Sequence, residues 1–440
     1  MRNIVKDRFP QLKKARPISF QRRNKTLQSQ KLCSTVCKSI LSLEVRRRSR
    51  KAKDEKAFAL AVELILADLM VSTGNKGSGW AYRSLCNDRF AGELVKAVTF
   101  KKVMGLLKLA GYVEHVKGGN CSNPFHIAGG ESKPFYPGLA SRYRATKDLL
   151  AIACSFGIGL GDISSHYYTK LPTNVLKLKA ASSRWHATKA RGQAMRIKDS
   201  IEVLELRNQV RQINQYLSQH TMEGAVFSGY YRSFNMGDDP NFNWDKGGRL
   251  YNSGDDSHQR LKKEDRLSSI KINNETACEI DVNASYLCIF YQIVGHPLPK
   301  KRDLYRVPGL HRKIVKAWIT TAFGKGQFPT RWSVRAKAEL TKEGICTAKL
   351  TMTEVGRRVC KAIPVMRFLP KSGITWGDLM FKESCAIISA MESLRDSYNI
   401  PAYSMHDGLI VPLSARDIAE KEVVQAFARF GIECRVKVEV

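Results

Sequence analysis

Acidic side chains are scarce in this sequence: across 440 residues, 40 Asp and Glu stand against 73 Lys and Arg, a formal charge of +33. A compact chain with that imbalance repels itself, and a polyanion relieves the repulsion, so nucleic acid is the expected partner. Paired cysteines are also missing. The 11 cysteines run from Cys33 to Cys434, and only Cys33 and Cys37 stand close, without a second pair. That spacing excludes a zinc-ribbon type site and a disulfide framework, and it points to a reducing, cytoplasmic setting. No apolar run reaches the length of a membrane span, which excludes a helical membrane protein. The N-terminus lacks the apolar stretch of a secretory signal. Being rich in Arg and poor in acid, it leaves an organelle transit peptide open, although a phosphate-binding arm is the simpler reading. The glycine-rich Gly74–Gly79 run does not have P-loop spacing, so that form of ATPase chemistry is excluded.

What is present suggests four regions. Residues 1–53 read as a basic leader with little to bury, expected to be mobile until it meets phosphates. Residues 54–128 read as a compact unit. Phe58, Val62, Leu66 and Leu69 recur at helical spacing behind a capping Asp54, and a second helix starts at a capping Thr99. That helix continues into Leu109-Ala110-Gly111-Tyr112-Val113-Glu114, and Gly118-Gly119 supplies a turn. This order resembles a winged helix-turn-helix. The resemblance implies DNA binding, with Lys101 and Lys102 at the groove and Lys117, beside His115, flanking the wing. Residues 129–222 read as helical, with a basic amphipathic helix over 186–222 whose stripe is Ile197, Ile201, Leu204, Leu206, Val210, Ile213 and Leu217. Residues 223–440 alternate strand-like and helical pieces, which makes the expected class α+β.

Two carboxylates in the last region carry the chemistry. Asp281 ends an apolar strand and is followed at once by a helix-compatible run. Asp407 lies in His406-Asp407-Gly408, between two β-prone stretches, the composition of a tight hairpin with a carboxylate at its tip. Carboxylates delivered by separate strands can hold two divalent ions about 4 Å apart, Mg²⁺ or Mn²⁺, for phosphoryl transfer. Taken alone, the first could be a helix cap and the second an ordinary turn.

The order of the surrounding segments resembles the right-hand polymerases, namely family A DNA polymerases and single-subunit phage-type RNA polymerases, over residues 225–440. Trp244–Asn252, with Gln259 and Arg266 after it, is similar to the Gly-Arg motif before the palm. The resemblance gives Arg249, Gln259, Arg266 and His406 to template and primer. Arg312, Lys316 and Phe323-Gly324 are similar to the fingers helix that grips the incoming nucleoside triphosphate, and Phe381–Leu394 to the helix before the third motif. Asp281 and Asp407 fall on the metal-binding positions. Tyr286, five residues after Asp281, would collide with a ribose 2′-hydroxyl, which favours deoxynucleotides. Three departures stand out. Phe323-Gly324 lies one residue nearer the Lys than usual, Gly408 replaces an acid or serine, and 407 − 281 = 126 residues is a short span, implying reduced fingers. No proofreading exonuclease is expected.

The implied architecture is palm, fingers and thumb behind a winged domain, in a DNA polymerase working on a DNA or RNA template with a primer. An RNA polymerase or primase, a non-catalytic DNA-binding replication protein and a metal-dependent nuclease are the alternatives.

Overall fold

The computed structural model describes residues 11–12, 15–46, 48–74, 78–90, 93–118, 140–185, 188–190, 192–254, 257–299, 303–347 and 350–440. The chain divides into two compact units, Met1–Asn174 with Ser253–Ser257, and Val175–Asn252 with His258–Val440. Both mix helices and strands, in keeping with the α+β class.

The first unit contains β1 (Arg16–Pro17), β2 (Arg22–Asn24), α1 (Leu27–Ser42), α2 (Ala52–Thr73) and β3 (Ala81–Arg83). After these come α3 (Ala97–Leu109), β4 (Val113–Val116), β5 (Ser141–Ala145), α4 (Lys147–Ser155) and β6 (Tyr167–Thr169). Its main sheet has the order β1-β3-β5-β4, with β5 antiparallel to both β3 and β4. The basic leader is corrected here. Residues 15–46 and 48–53 are built into the unit, because Ile18, Phe20, Leu32, Val36 and Ile40 all find the core. Thr26 accepts a hydrogen bond from the Ser29 amide and so starts α1 at a definite place. Lys13, Lys14 and Arg47 lie outside the described residues. Two caps are also corrected. Lys51 and Lys96 hold the cap positions, so Asp54 sits in the first turn of α2 and Thr99 inside α3. The register joins β4 to residues 141–145, so the connection between them is far longer than a turn at Gly118. Gly119 lies outside the described residues.

Residues 129–222, expected as one helical region, are split instead. Those up to Asn174 belong to the first unit. The rest open the second unit with β7 (Leu176–Lys179), β8 (Ser183–Trp185), β9 (Thr188–Ala190) and β10 (Ala194–Met195) before α5 (Ile201–Leu217) begins. The physical reason for the late start is Ser200, whose side chain accepts from the Val203 amide. The helix buries Val203, Val210, Ile213 and Leu217, while Ile201 and Leu204 face water. The apolar face is therefore rotated from the expected stripe.

The second unit continues through β11 (Met222–Glu223), β12 (Tyr230–Phe234), β13 (Gly247–Asn252), α6 (Lys263–Ser269), β14 (Lys271–Ile272), β15 (Glu275–Val282) and α7 (Ser285–Ile293). Then come α8 (Arg312–Lys325), α9 (Val334–Lys342), α10 (Met352–Ala362), α11 (Trp376–Tyr398), β16 (Tyr403–Met405), β17 (Gly408–Pro412), α12 (Arg416–Arg429) and β18 (Val436–Glu439). Its largest sheet runs β11-β14-β15-β17-β16, with β18 paired to the other edge of β15. β15 thus lies at the centre, and burial of Ala277, Cys278, Ile280 and Val282 anchors it. A second sheet, β10-β7-β12-β13, carries α11 against β13. Among the described residues no helix is long and apolar enough to cross a membrane, and the ten described cysteines are all free.

Candidate active site

The central strand and its neighbouring hairpin bring the two predicted carboxylates together. Asp281 on β15 is in register with Gly408 on β17, and the Val282 amide donates to the Asp407 carbonyl at 3.2 Å. β16 and β17 close around a two-residue turn, His406-Asp407, with His406 in the left-handed region at φ 57°. Gly408 explains its own departure from the polymerase pattern. A Cβ there would stand 2.4 Å from the Ile280 carbonyl oxygen, so no acid or serine fits where β17 pairs with β15.

Neither carboxylate is neutralised locally. Among the described residues, Asp281 and Asp407 have no side-chain hydrogen bond or ion pair, although both are only half-buried. Burial, then the nearby Asp407 and Glu279, pushes the Asp281 carboxyl up to about 6, against the pull of Lys263 and Lys316. Glu279 itself is taken up by Arg266, whose guanidinium reaches its two oxygens at 2.9 and 3.0 Å.

That ion pair corrects one expectation. Arg266 is buried and committed to Glu279 and the Leu261 carbonyl, so it is not presented to a template or primer. Gln259 is likewise committed. It accepts from the Asn252 amide at 2.9 Å and donates to the carbonyls of Leu250 at 3.1 Å and Ser404 at 2.9 Å, tying β13 to β16. Both residues tie together the elements that carry the site.

Arg249 does reach the site. It donates through Nε to Glu383 at 2.7 Å, and its guanidinium lies 5.7 Å from the Tyr286 ring centroid. Gly248 has φ +78° and lies close under α11, where a Cβ would meet the Ser384 hydroxyl at 3.0 Å. His406 is half-buried, with its ring centroid 6.5 Å from that of Tyr251. Burial and then Arg249 lower its pKa, and among the described residues its buried Nδ1 has no partner.

The fingers-like segment is one continuous helix, α8. Arg312, Lys316 and Thr320 form an exposed stripe at four-residue spacing. Arg312 pairs with Asp303 at 2.8 Å, and both cations lie over the Tyr305 ring, at 5.0 and 6.0 Å from its centroid. Phe323 is different. It is buried between Phe290 and Tyr286, at 5.3 and 6.3 Å between centroids, so it supports Tyr286 and is not open to a nucleotide. Tyr286 keeps a partly exposed ring.

Sequence reasoning missed three residues here. Tyr305 is a buried ring beneath the α8 cations and feels Asp407. Glu383 and Ser285 are buried and hydrogen-bonded to each other at 2.6 Å. Burial pushes the Glu383 carboxyl up to about 7, against the pull of Arg249. In the sequence Glu383 is one of two acids in the mixed run Phe381–Leu394, next to Lys382, and nothing there set it apart from Glu392.

The three DNA-binding lysines predicted from the winged-helix resemblance lie in the first unit. Lys101 and Lys117 are exposed and have no ion pair among the described residues, whereas Lys102 joins Arg46 and Arg50 around Glu44. No family model matches this chain, and no curated protein matches it.

Proposed function

We propose that the second unit is a template-directed nucleotidyltransferase of the right-hand type, and that it makes DNA. The observation that carries this reading is the pair Asp281, on β15, and Asp407, in the turn before the neighbouring β17, without an ion pair among the described residues, in a strongly basic chain with a cationic helix stripe. Half-buried carboxylates that repel each other and have no ion pair among the described residues suit a divalent ion. Among the described residues no group of three or more His, Cys, Asp or Glu gathers there. Such a site suits Mg²⁺, which keeps waters and takes phosphate oxygens alongside one or two carboxylates. Asp281 and Asp407 would hold the metal, which supplies charge neutralisation and an activated 3′-hydroxyl when bound.

The chain's own residues would do the positioning. Lys316 and Arg312 face a triphosphate as two charges one helical turn apart. Arg249 offers a guanidinium beside the growing strand. The partly exposed Tyr286 ring, supported by Phe323, favours a sugar without a 2′-hydroxyl. In the first unit, β3, β5 and β4 form an antiparallel sheet in that order, with α3 immediately before β4, as in a winged helix. We assign α3 and its Lys101 to duplex binding.

Extension of DNA and RNA templates, primed and unprimed, with dNTPs or NTPs tests the reading. Mg²⁺-dependent extension of a primed template with dNTPs is the expected outcome. Tight DNA binding with no synthesis under any condition would reduce the protein to a replication accessory. Strand cleavage without nucleotides would make it a nuclease.

A further inference from the structure

Glu383 is a fully buried acid of the second unit, with 0% exposure in the second turn of α11. A buried ion pair adds little net stability over an apolar filling of the same shape, so what it supplies is geometry. One oxygen, Oε1, accepts from Nε of Arg249 at 2.7 Å and also from its terminal nitrogen. The other, Oε2, accepts from the Ser285 hydroxyl at 2.6 Å.

These two partners are the neighbours of Tyr286. Ser285 precedes it at the start of α7, just after Ala284, which takes the left-handed conformation at φ 53°. Arg249 lies over its ring at 5.7 Å. Phe323 meets the ring edge-on at 6.3 Å. With α7 held at its first residue and the ring covered by a fixed guanidinium, little freedom is left in the placement of Tyr286.

We infer that Glu383 is a positioning residue for sugar selection: by gripping Arg249 and Ser285 together, it fixes the Tyr286 ring where the sugar of an incoming nucleotide is read. The inference rests on the nucleotidyltransferase reading above and names the determinant of its sugar choice. Glu383 touches no substrate; it acts through Tyr286.

The test is the ratio of kcat/KM for dNTPs to that for NTPs on a primed template. Wild type, Glu383→Gln, Ser285→Ala and Tyr286→Ala are compared, along with the double variant Glu383→Gln/Tyr286→Ala. Glu383→Gln keeps the shape and removes the charge, and should lower the ratio on the order of tenfold; Ser285→Ala should lower it less. In the Tyr286→Ala background, Glu383→Gln should leave the ratio unchanged, because the ring through which it acts is gone. A merely structural Glu383 would shift the melting temperature and slow both substrates together without moving the ratio. An active wild type whose ratio is untouched by Glu383→Gln and Ser285→Ala overturns this inference alone. A ratio that still falls in the Tyr286→Ala background overturns the route through Tyr286. A wild type that extends nothing overturns the nucleotidyltransferase reading, and this inference with it.

Discussion

Asp68 and Asp281 are both held by apolar surroundings, one in each unit, and the chain treats them in opposite ways. Asp68 is fully buried on α2, and every demand of its carboxylate is met. It accepts from the amides of Ser19 at 2.7 Å and Phe20 at 3.0 Å, and Arg22 reaches it at 2.6 Å. Asp281 sits on the central strand of its sheet with a second carboxylate beside it and, among the described residues, no cation bonded to either. The protein could have supplied an arginine there, as it does for Glu279 and Glu383. A carboxylate with all its partners in the chain holds the fold, whereas one left without them is free for a ligand.

The largest expected effects come from exchanging those roles. Asp281→Asn and Asp407→Asn should each lower extension at least about 10³-fold, roughly 4 kcal/mol of transition-state stabilisation, with DNA affinity nearly unchanged. Asp68→Ala should do the reverse, costing the first unit about 3–5 kcal/mol because Arg22 loses a buried counter-charge. Primer extension and thermal melting on the same three proteins check both halves. Near-normal synthesis by either Asn variant would end the metal assignment.

A smaller effect is expected at α8. Lys316→Ala should raise the apparent KM for the triphosphate about tenfold and also lower kcat. Arg312→Ala should do less, since Arg312 already shares its charge with Asp303. Steady-state kinetics with unchanged nucleotide dependence would make the stripe an ordinary surface.

How far these roles were legible depended on whether a residue's partner lay nearby in sequence. The hairpin around Asp407 is a local structure that composition was enough to find, whereas the helix carrying Arg312 and Lys316 was expected from the resemblance in segment order. Arg266 was misassigned because its partner, Glu279, is met only where α6 packs on β15, and a lone arginine looks the same whether it faces solvent or a buried acid. Glu383 was overlooked for the same reason, with partners 134 and 98 residues away. The leader was misread because charge was counted before spacing, although Leu32, Val36 and Ile40 sit on one helix face.

That correction changes how binding should be probed. Deleting residues 1–53 would strip core side chains from the first unit, so point substitutions are the better tool. Lys101→Ala and Lys117→Ala should each reduce the slope of log K against log[salt] by up to about 0.9 on duplex DNA. Lys102→Ala should reduce it less, because its ammonium is already engaged with Glu44. Equal slopes for all three would remove the distinction between paired and unpaired lysines.

The smallest effect tests the comparison most directly, in metal-free protein. Asp281 has its folded pKa raised to about 6 from an ordinary value of 3.8, first by burial and then by Asp407. The favourable contribution is therefore fully present below the unfolded pKa and is lost as pH rises through about 6. At pH 7.5 the ionised carboxylate is a burden on the fold. At about 1.4 kcal/mol per pKa unit the whole shift corresponds to about 3 kcal/mol, and solvent screening at a partly exposed group reduces this to about 1 kcal/mol. Asp281→Asn should then melt about 2 °C higher than wild type at pH 7.5, and the gap should close by pH 4. The difference between the two proteins is the proper readout, because Glu383, His258 and His406 also titrate with shifted pKa values and contribute equally to both. Adding Mg²⁺ should raise the melting temperature of wild type and leave Asp281→Asn nearly where it was. A variant less stable than wild type at pH 7.5 without metal would mean that Asp281, like Asp68, is held by partners within the fold.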